Sequence, residues 1–143
     1  MTGESEGELM APLRRFVSGS DIEVEHLPWG PHEWLSRPGL TDARQLLLVR
    51  VRMPPGQAHR FHCHPEMEEI IYVVSGKAEQ WVDQQSQVLE PGEVAHIPAD
   101  VVHGTWNAGD ETLVFLAILS PASSEGPMLV DVSEEEPWKS LRS

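Results

Sequence analysis

The sequence predicts an all-β domain, a sandwich or a closed barrel, on three observations. From Ala43 onward, short runs of Val, Ile, Leu and aromatic residues recur between Pro-Gly, Ser-Gly and Ala-Gly pairs, which is the rhythm of short strands joined by tight turns. Helical periodicity is weak through the same region. Finally, 143 residues with 40% hydrophobic and 23% charged content make one globular domain able to bury a core.

Taken in order, the first 42 residues read as irregular chain. "LPWGPHEWLSRPGL" carries three prolines and two tryptophans, Trp29 and Trp34, and is expected to cover a sheet face or an edge strand, with a lid as the sharper alternative. The strands that follow are "ARQLLLVRVRM", "QAHRFHCH", "EEIIYVVS", "KAEQWVD", "SQVLE", "EVAHIP", "VVHGTWN" and "TLVFLAILS". Between them, "PPG" at 54–56, "SG" at 75–76, "DQQ" at 83–85, "PG" at 91–92 and "NAGDE" at 107–111 are turn chemistry. Eight short strands with tight connections suit two packed or closed sheets better than an open one. From Pro121 the chain turns polar and acidic, with Trp138 as its obvious anchor. The expected organisation is an extension over 1–42, a barrel over 43–121 and an acidic tail over 122–143.

A net charge of −13, with ten Lys and Arg among 23 acids, excludes a phosphate-tracking surface and so nucleic acid as a partner. Glu4, Glu6 and Glu8 near one end, and Asp131, Glu134, Glu135 and Glu136 near the other, read as solvated acidic tails. No apolar run approaches the ~20 residues that cross a bilayer, so no membrane role is expected. One cysteine, Cys63, rules out an intrachain disulfide. With an opening that lacks a basic and apolar leader, this makes the cytoplasm the expected compartment.

The chemistry is concentrated in "HCHPEMEE", His62 to Glu69. On an extended strand His62 and His64 project to one face and Cys63 to the other, which is metal-ligand spacing for a strand. Pro65 then interrupts the strand, and the next begins near Glu68, so that a carboxylate can swing beside the imidazoles. Glu68 and Glu69 point to opposite faces. Alternation does not choose between them, because Ile70, Tyr72 and Val74 follow one while Ile71 and Val73 follow the other.

Two longer patterns resemble the signatures of the cupin superfamily, in its single-domain, RmlC-like, cupin 2 conserved-barrel form. In "GQAHRFHCHPEMEEIIYVVSG", Gly56, His62, His64, Glu69 and Gly76 fill the first. In "GEVAHIPADVVHGTWN", Gly92, Pro98, His103 and Asn107 fill the second, with Asp100 where the pattern has glycine. Aspartate tolerates turn conformations, so this departure falls in a loop rather than on a ligand. The resemblance spans about Ala43 to Pro121. It implies a jelly-roll β-barrel holding one divalent transition metal, Fe, Mn, Ni, Co, Cu or Zn, through His62, His64, Glu69 and His103. Glu69 rather than Glu68 follows from the position of Gly76.

Further inward candidates are Arg60, which shares parity with His62 and could clasp a substrate carboxylate, and Gln80 and Thr105 if their strands keep register. By the same parity His59 faces away, as a surface or interface residue, and His96 is assigned likewise. Cys63 is expected to be buried. The function implied is a metal-dependent oxidoreductase, dioxygenase-like, acting on a compact small-molecule substrate, with Glu69 taking a substrate proton. The alternatives are a non-catalytic ligand-binding or sensor protein and a metal-dependent isomerase or decarboxylase. Strands apolar on both faces point to a homodimer.

Overall fold

The computed structural model describes residues 12–142. Eleven strands build two antiparallel sheets: β1 Glu23–Leu27, β2 Gly30–Ser36, β3 Leu47–Met53, β4 Ala58–Cys63, β5 Glu68–Ser75, β6 Ala78–Val82, β7 Gln85–Leu89, β8 Val94–Ile97, β9 His103–Asn107, β10 Leu113–Ser120 and β11 Val130–Asp131. One sheet runs β1-β2-β3-β10-β5-β8 and the other β11-β4-β9-β6-β7. The eight strands β3 to β10, each matching a segment predicted from the sequence, form the jelly roll. The flanks add β1 and β2 at one edge and β11 at another. Among the described residues no helix is long and apolar enough to cross a membrane.

Alternation decides what each strand buries. Leu47, Val49, Val51 and Met53 of β3 face inward, as do Ile71 and Val73 of β5 and Phe115, Ala117 and Leu119 of β10. With Leu89 and Ile97 from β7 and β8 they make one core between the sheets. Tight turns hold the strands in register. At Gly76 φ is +84°, and a Cβ would lie 2.9 Å from the Leu113 Cα, so only glycine fits. The Asn107 amide donates to the carbonyls of Met53 and Glu111 at 2.9 and 2.8 Å and accepts from the Gly109 N–H, locking the turn before β10. Asp100 takes the left-handed conformation, φ +69°, that the glycine of the resembled pattern would take. Its N–H donates to the His64 carbonyl at 2.9 Å.

Both flanks differ from expectation. The region read as irregular is a hairpin, β1 with β2, that pairs through β2 with β3 and extends the barrel sheet. Its prolines are tolerated because Pro28 lies in the turn and pairing with β3 begins only at His32, one residue past Pro31. Gly30 sits at φ +137°, where a Cβ would collide with the Arg52 carbonyl, so the hairpin can approach β3 closely only at glycine. The acidic side chains Glu134, Glu135 and Glu136 are exposed as expected. Their backbone nevertheless docks: β11 pairs with β4, and a short helix α1, Trp138–Leu141, brings the Trp138 ring to 5.4 Å from Phe61. Arg142 then caps Trp106 at 4.5 Å and donates to Glu79. Glu4, Glu6 and Glu8 lie outside the described residues.

Candidate metal centre

Two paired strands bring the histidines together. His62 lies near the end of β4, His103 opens β9 directly opposite it in the ladder, and His64 follows β4 by one residue. All three are buried, and their candidate ligand atoms lie within 4.8 Å of one another. Each ring is fixed from behind by a backbone carbonyl that accepts from Nδ1: Arg60 for His62 at 2.6 Å, Met128 for His64 at 2.9 Å and Val101 for His103 at 3.0 Å. A proton on Nδ1 leaves the Nε2 lone pair free, which is the tautomer a metal ligand needs.

Glu69 completes the cluster from β5. It faces Ile97 across the β5–β8 ladder and is 5% exposed, whereas Glu68 points outward to the His96 ring at 2.8 Å. The ambiguity between the two acids is thereby resolved in favour of Glu69 as the inward one. Its Oε1 stands 2.9 Å from His103 Nε2 and 3.2 Å from His64 Nε2. Yet Glu69 Oε1 and His103 Nε2 are buried atoms with no hydrogen-bond partner. The distances are those of hydrogen bonds but the geometry is not, so carboxylate and imidazole stand side by side without bonding. Donor atoms that converge without bonding one another fit a shared cation. Three imidazoles with one carboxylate make a donor set suited to a divalent transition metal.

The electrostatics agree. Burial pushes the Glu69 carboxyl up, but the His103 and His64 imidazoles beside it outweigh burial and hold it well below the usual carboxylate range. Burial works to lower His64, and the neighbouring carboxylate wins and raises it. His62 is driven well below its ordinary value, first by burial and then by His59 and His103. A carboxylate kept anionic in the interior needs a counter-charge.

Above the cluster lies a cavity of about 190 Å³. Its wall is largely apolar, with Val49, Val51, Ile71 and Phe115 from the barrel and Trp29 and Trp34 from the hairpin. Thr105 lines it as expected. Gln80 is buried behind Thr105, accepting its hydroxyl at 2.6 Å, and does not line the cavity. Two parity readings are reversed. Arg60 is exposed and borders an outer cleft with Trp106 and Arg142. His59 instead lines the cavity and stacks on His62 at 3.6 Å. The cause is a β-bulge: His59 pairs with Thr105 and His62 with His103, so three steps on β4 match two on β9 and alternation inverts. Gly104, opposite the bulge, is the one residue that signals it, since glycine inside a strand marks a bulge or a close approach. Cys63 is buried on the other face, where burial first and then Asp100 push its thiol up. Sequence reasoning missed Met128, whose carbonyl orients His64, and placed His32 only within a candidate lid, whereas it lines the cavity.

The Cupin domain family profile matches residues 49–119. Over 123 residues the chain is 32% identical to polyketide synthase CurC of Streptomyces cyaneus, covering 86% of this chain and 79% of the relative. A shorter stretch is 34% identical over 59 residues to quercetin 2,3-dioxygenase of Bacillus subtilis, 41% of this chain but only 18% of that protein. Among solved structures, an RmlC-like cupin from Shewanella frigidimarina superposes with a TM-score of 0.67 at 24% identity, over 78% of this chain and 95% of the other. With the jelly roll, the buried histidine cluster and these likenesses in agreement, the chain belongs to the cupin superfamily.

Proposed function

We propose that the protein is a metal-dependent enzyme that oxidises a compact, uncharged, polyketide-type compound. The observation that carries this reading is the convergence of His62, His64, His103 and Glu69 at the floor of a cavity whose wall, among the described residues, includes no Lys or Arg. These four side chains would hold the metal, one of Fe, Mn, Ni, Co, Cu or Zn. When bound, it would supply Lewis-acid chemistry for oxygen-dependent oxidation.

The chain's own residues select the substrate and move its proton. Glu69, anionic and buried, is the group to take a proton from a substrate hydroxyl. The apolar wall excludes water from that transfer. Beyond the metal itself, an anionic substrate would find no Lys or Arg along the wall to receive its charge, whereas a neutral hydroxyl or keto compound needs none. With Arg60 outside, the group that would have favoured a carboxylate substrate is gone, which weighs against decarboxylation of an acid. The likeness to a protein named polyketide synthase supports the substrate class, and the likeness to a quercetin dioxygenase supports oxygen-dependent chemistry.

We also propose a homodimer. Ile70, Tyr72 and Val74 of β5 and Val94 of β8 are exposed on the outer face of the six-stranded sheet, where Leu116 and Ile118 extend the apolar surface. A second copy covering this face would remove it from water.

Elemental analysis of protein purified without chelator, beside a Glu69→Ala variant, tests the site. Metal present in the first and lost in the second is the expected result. Oxygen-electrode recordings with a panel of hydroxylated naphthalenes and a matched panel of naphthoic acids test the reaction. Oxygen uptake is expected with the neutral panel, and uptake confined to the acids would sink the proposal.

A further inference from the structure

We infer that His32, carried to the cavity by the N-terminal hairpin, recognises a hydroxyl or keto oxygen of the substrate beside the stacked rings of Trp29, His59 and His62. The inference rests on the reading proposed above and assigns a substrate-binding residue to it.

His32 is placed by strand register. It pairs with Val51 and Trp34 with Val49, so both follow the inward face of β3. Glu33 between them points outward, where Arg50 and Arg52 donate to it at 2.6 and 2.9 Å and pin that register. The His32 ring is 8% exposed and lines the same cavity as Glu69 and His62.

What sets this ring apart is its unsatisfied nitrogen. In His62, His64 and His103, Nδ1 is engaged by a backbone carbonyl. His32 Nδ1 is buried with no hydrogen bond of good geometry, although the Gly30 carbonyl lies beside the ring. Buried polar atoms are nearly always paired, and an imidazole that lines a cavity without a well-formed bond has hydrogen-bonding capacity left for a polar group in the cavity. Burial lowers the basicity of this ring, with the Gly30 carbonyl, Glu25 and Glu69 opposing, so it serves as a neutral imidazole with one donor and one acceptor. Such a group suits an uncharged hydroxyl or carbonyl rather than an anion.

The neighbouring rings form a stack. The Trp29 ring meets His32 edge-on at 4.3 Å and stacks on His59 at 3.9 Å, 16° from parallel. His59 in turn stacks on His62 at 3.6 Å, 12° from parallel. Both faces of His59 are thus covered, and a column of three rings runs from the hairpin to a cluster histidine, so a planar ring beside it meets ring edges. Hydrogen-bond recognition at one end and the histidine cluster at the other fit a flat compound bearing at least two oxygens.

The test uses the full chain loaded with zinc, which is redox-inert, so binding is read without turnover. Calorimetric titration with 2,3-dihydroxynaphthalene is compared with naphthalene, and zinc content is measured for every protein. His32→Phe is expected to weaken dihydroxynaphthalene binding by about tenfold or more while leaving naphthalene binding and zinc content unchanged. His32→Asn, again a neutral donor and acceptor, is expected to recover part of the loss. Equal affinities in wild type and His32→Phe overturn the assignment, and so does loss of zinc from His32→Phe, which would make the ring a support of the cluster. If wild type takes up no zinc, the enzyme reading fails by itself, and the His32 difference is read on the metal-free chain. A wild-type chain that ignores dihydroxynaphthalene with or without zinc overturns the inference.

Discussion

The barrel strands β3 to β10 and the two flanks that clasp them meet at one cavity but contribute different things to it. The barrel carries every member of the histidine and glutamate cluster, directly on paired strands or one residue beyond them. The flanks carry none of the cluster, yet they supply Trp29, His32 and Trp34 on one side and Met128 and Leu129 on another. They also orient one barrel residue, because the Met128 carbonyl fixes His64. The difference teaches that potential ligands are held where backbone pairing is densest, while the surfaces that meet a substrate come from added elements. Such elements can vary without disturbing the ladder that aligns the imidazoles.

The division of labour can be broken most severely from the barrel side. His62→Ala or His103→Ala is expected to lower metal affinity by more than about a hundredfold, with far-ultraviolet circular dichroism unchanged, as read by metal content after dialysis. Unchanged metal content would mean the cluster is misassigned. Removing residues 123–142 from the C-terminal flank should do less. It frees the His64 ring from its carbonyl and uncovers Phe61, so an affinity loss of about ten- to a hundredfold is expected with the strand signal retained. A loss as deep as that of His62→Ala would erase the distinction between ligand and support.

On the outer face, Tyr72→Asp places a charge in the middle of the apolar patch. Light scattering is expected to shift from dimer to monomer with no change in bound metal, whereas a wild type that is monomeric at micromolar concentration removes the dimer proposal. The smallest effect concerns the bond between hairpin and barrel. Arg50 beside Glu33, with burial opposing and Arg52 assisting, holds that carboxyl below its ordinary value. Because the folded value is the lower one, the stabilisation is present above the unfolded carboxylate range and is lost as pH falls through the folded value. Glu33→Gln should therefore cost about 0.5–1 kcal/mol at neutral pH and close to nothing at pH values below both. Urea melts at the two pH values read the difference, and an equal cost at both would assign it to packing instead.

Much of the barrel is legible in the sequence because strand alternation and turn residues are local. Val49, Val51 and Met53 announce an inward face without reference to any other strand, and the turn at Gly76 needs glycine whatever surrounds it. The hairpin is less legible. Pro28, Pro31 and Pro38 argue locally against a strand, and only the available edge of β3 makes β2 favourable. The acidic C-terminal segment behaves similarly: its exposed glutamates read correctly as solvated, while the pairing of Val130 with Cys63 depends on an edge that exists only after folding. Arg60 and His59 exchange faces for a related reason, since one bulge inverts parity and only Gly104 hints at it.

The sequence by itself determined the class of fold, the order and approximate places of the eight barrel strands, the pair His62 and His64 on one face and, through the resembled signatures, the residues to gather with them. These are properties of neighbours along the chain, carried by periods of two residues and by turn chemistry. The tertiary structure alone decided that Glu69 rather than Glu68 meets the imidazoles without recourse to resemblance. It also decided that Arg60 faces out, that His59 and His32 face in, and that a carbonyl 64 residues away holds His64. Each of those depends on which strand lies opposite and in what register, and register is set by the packing of both sheets together.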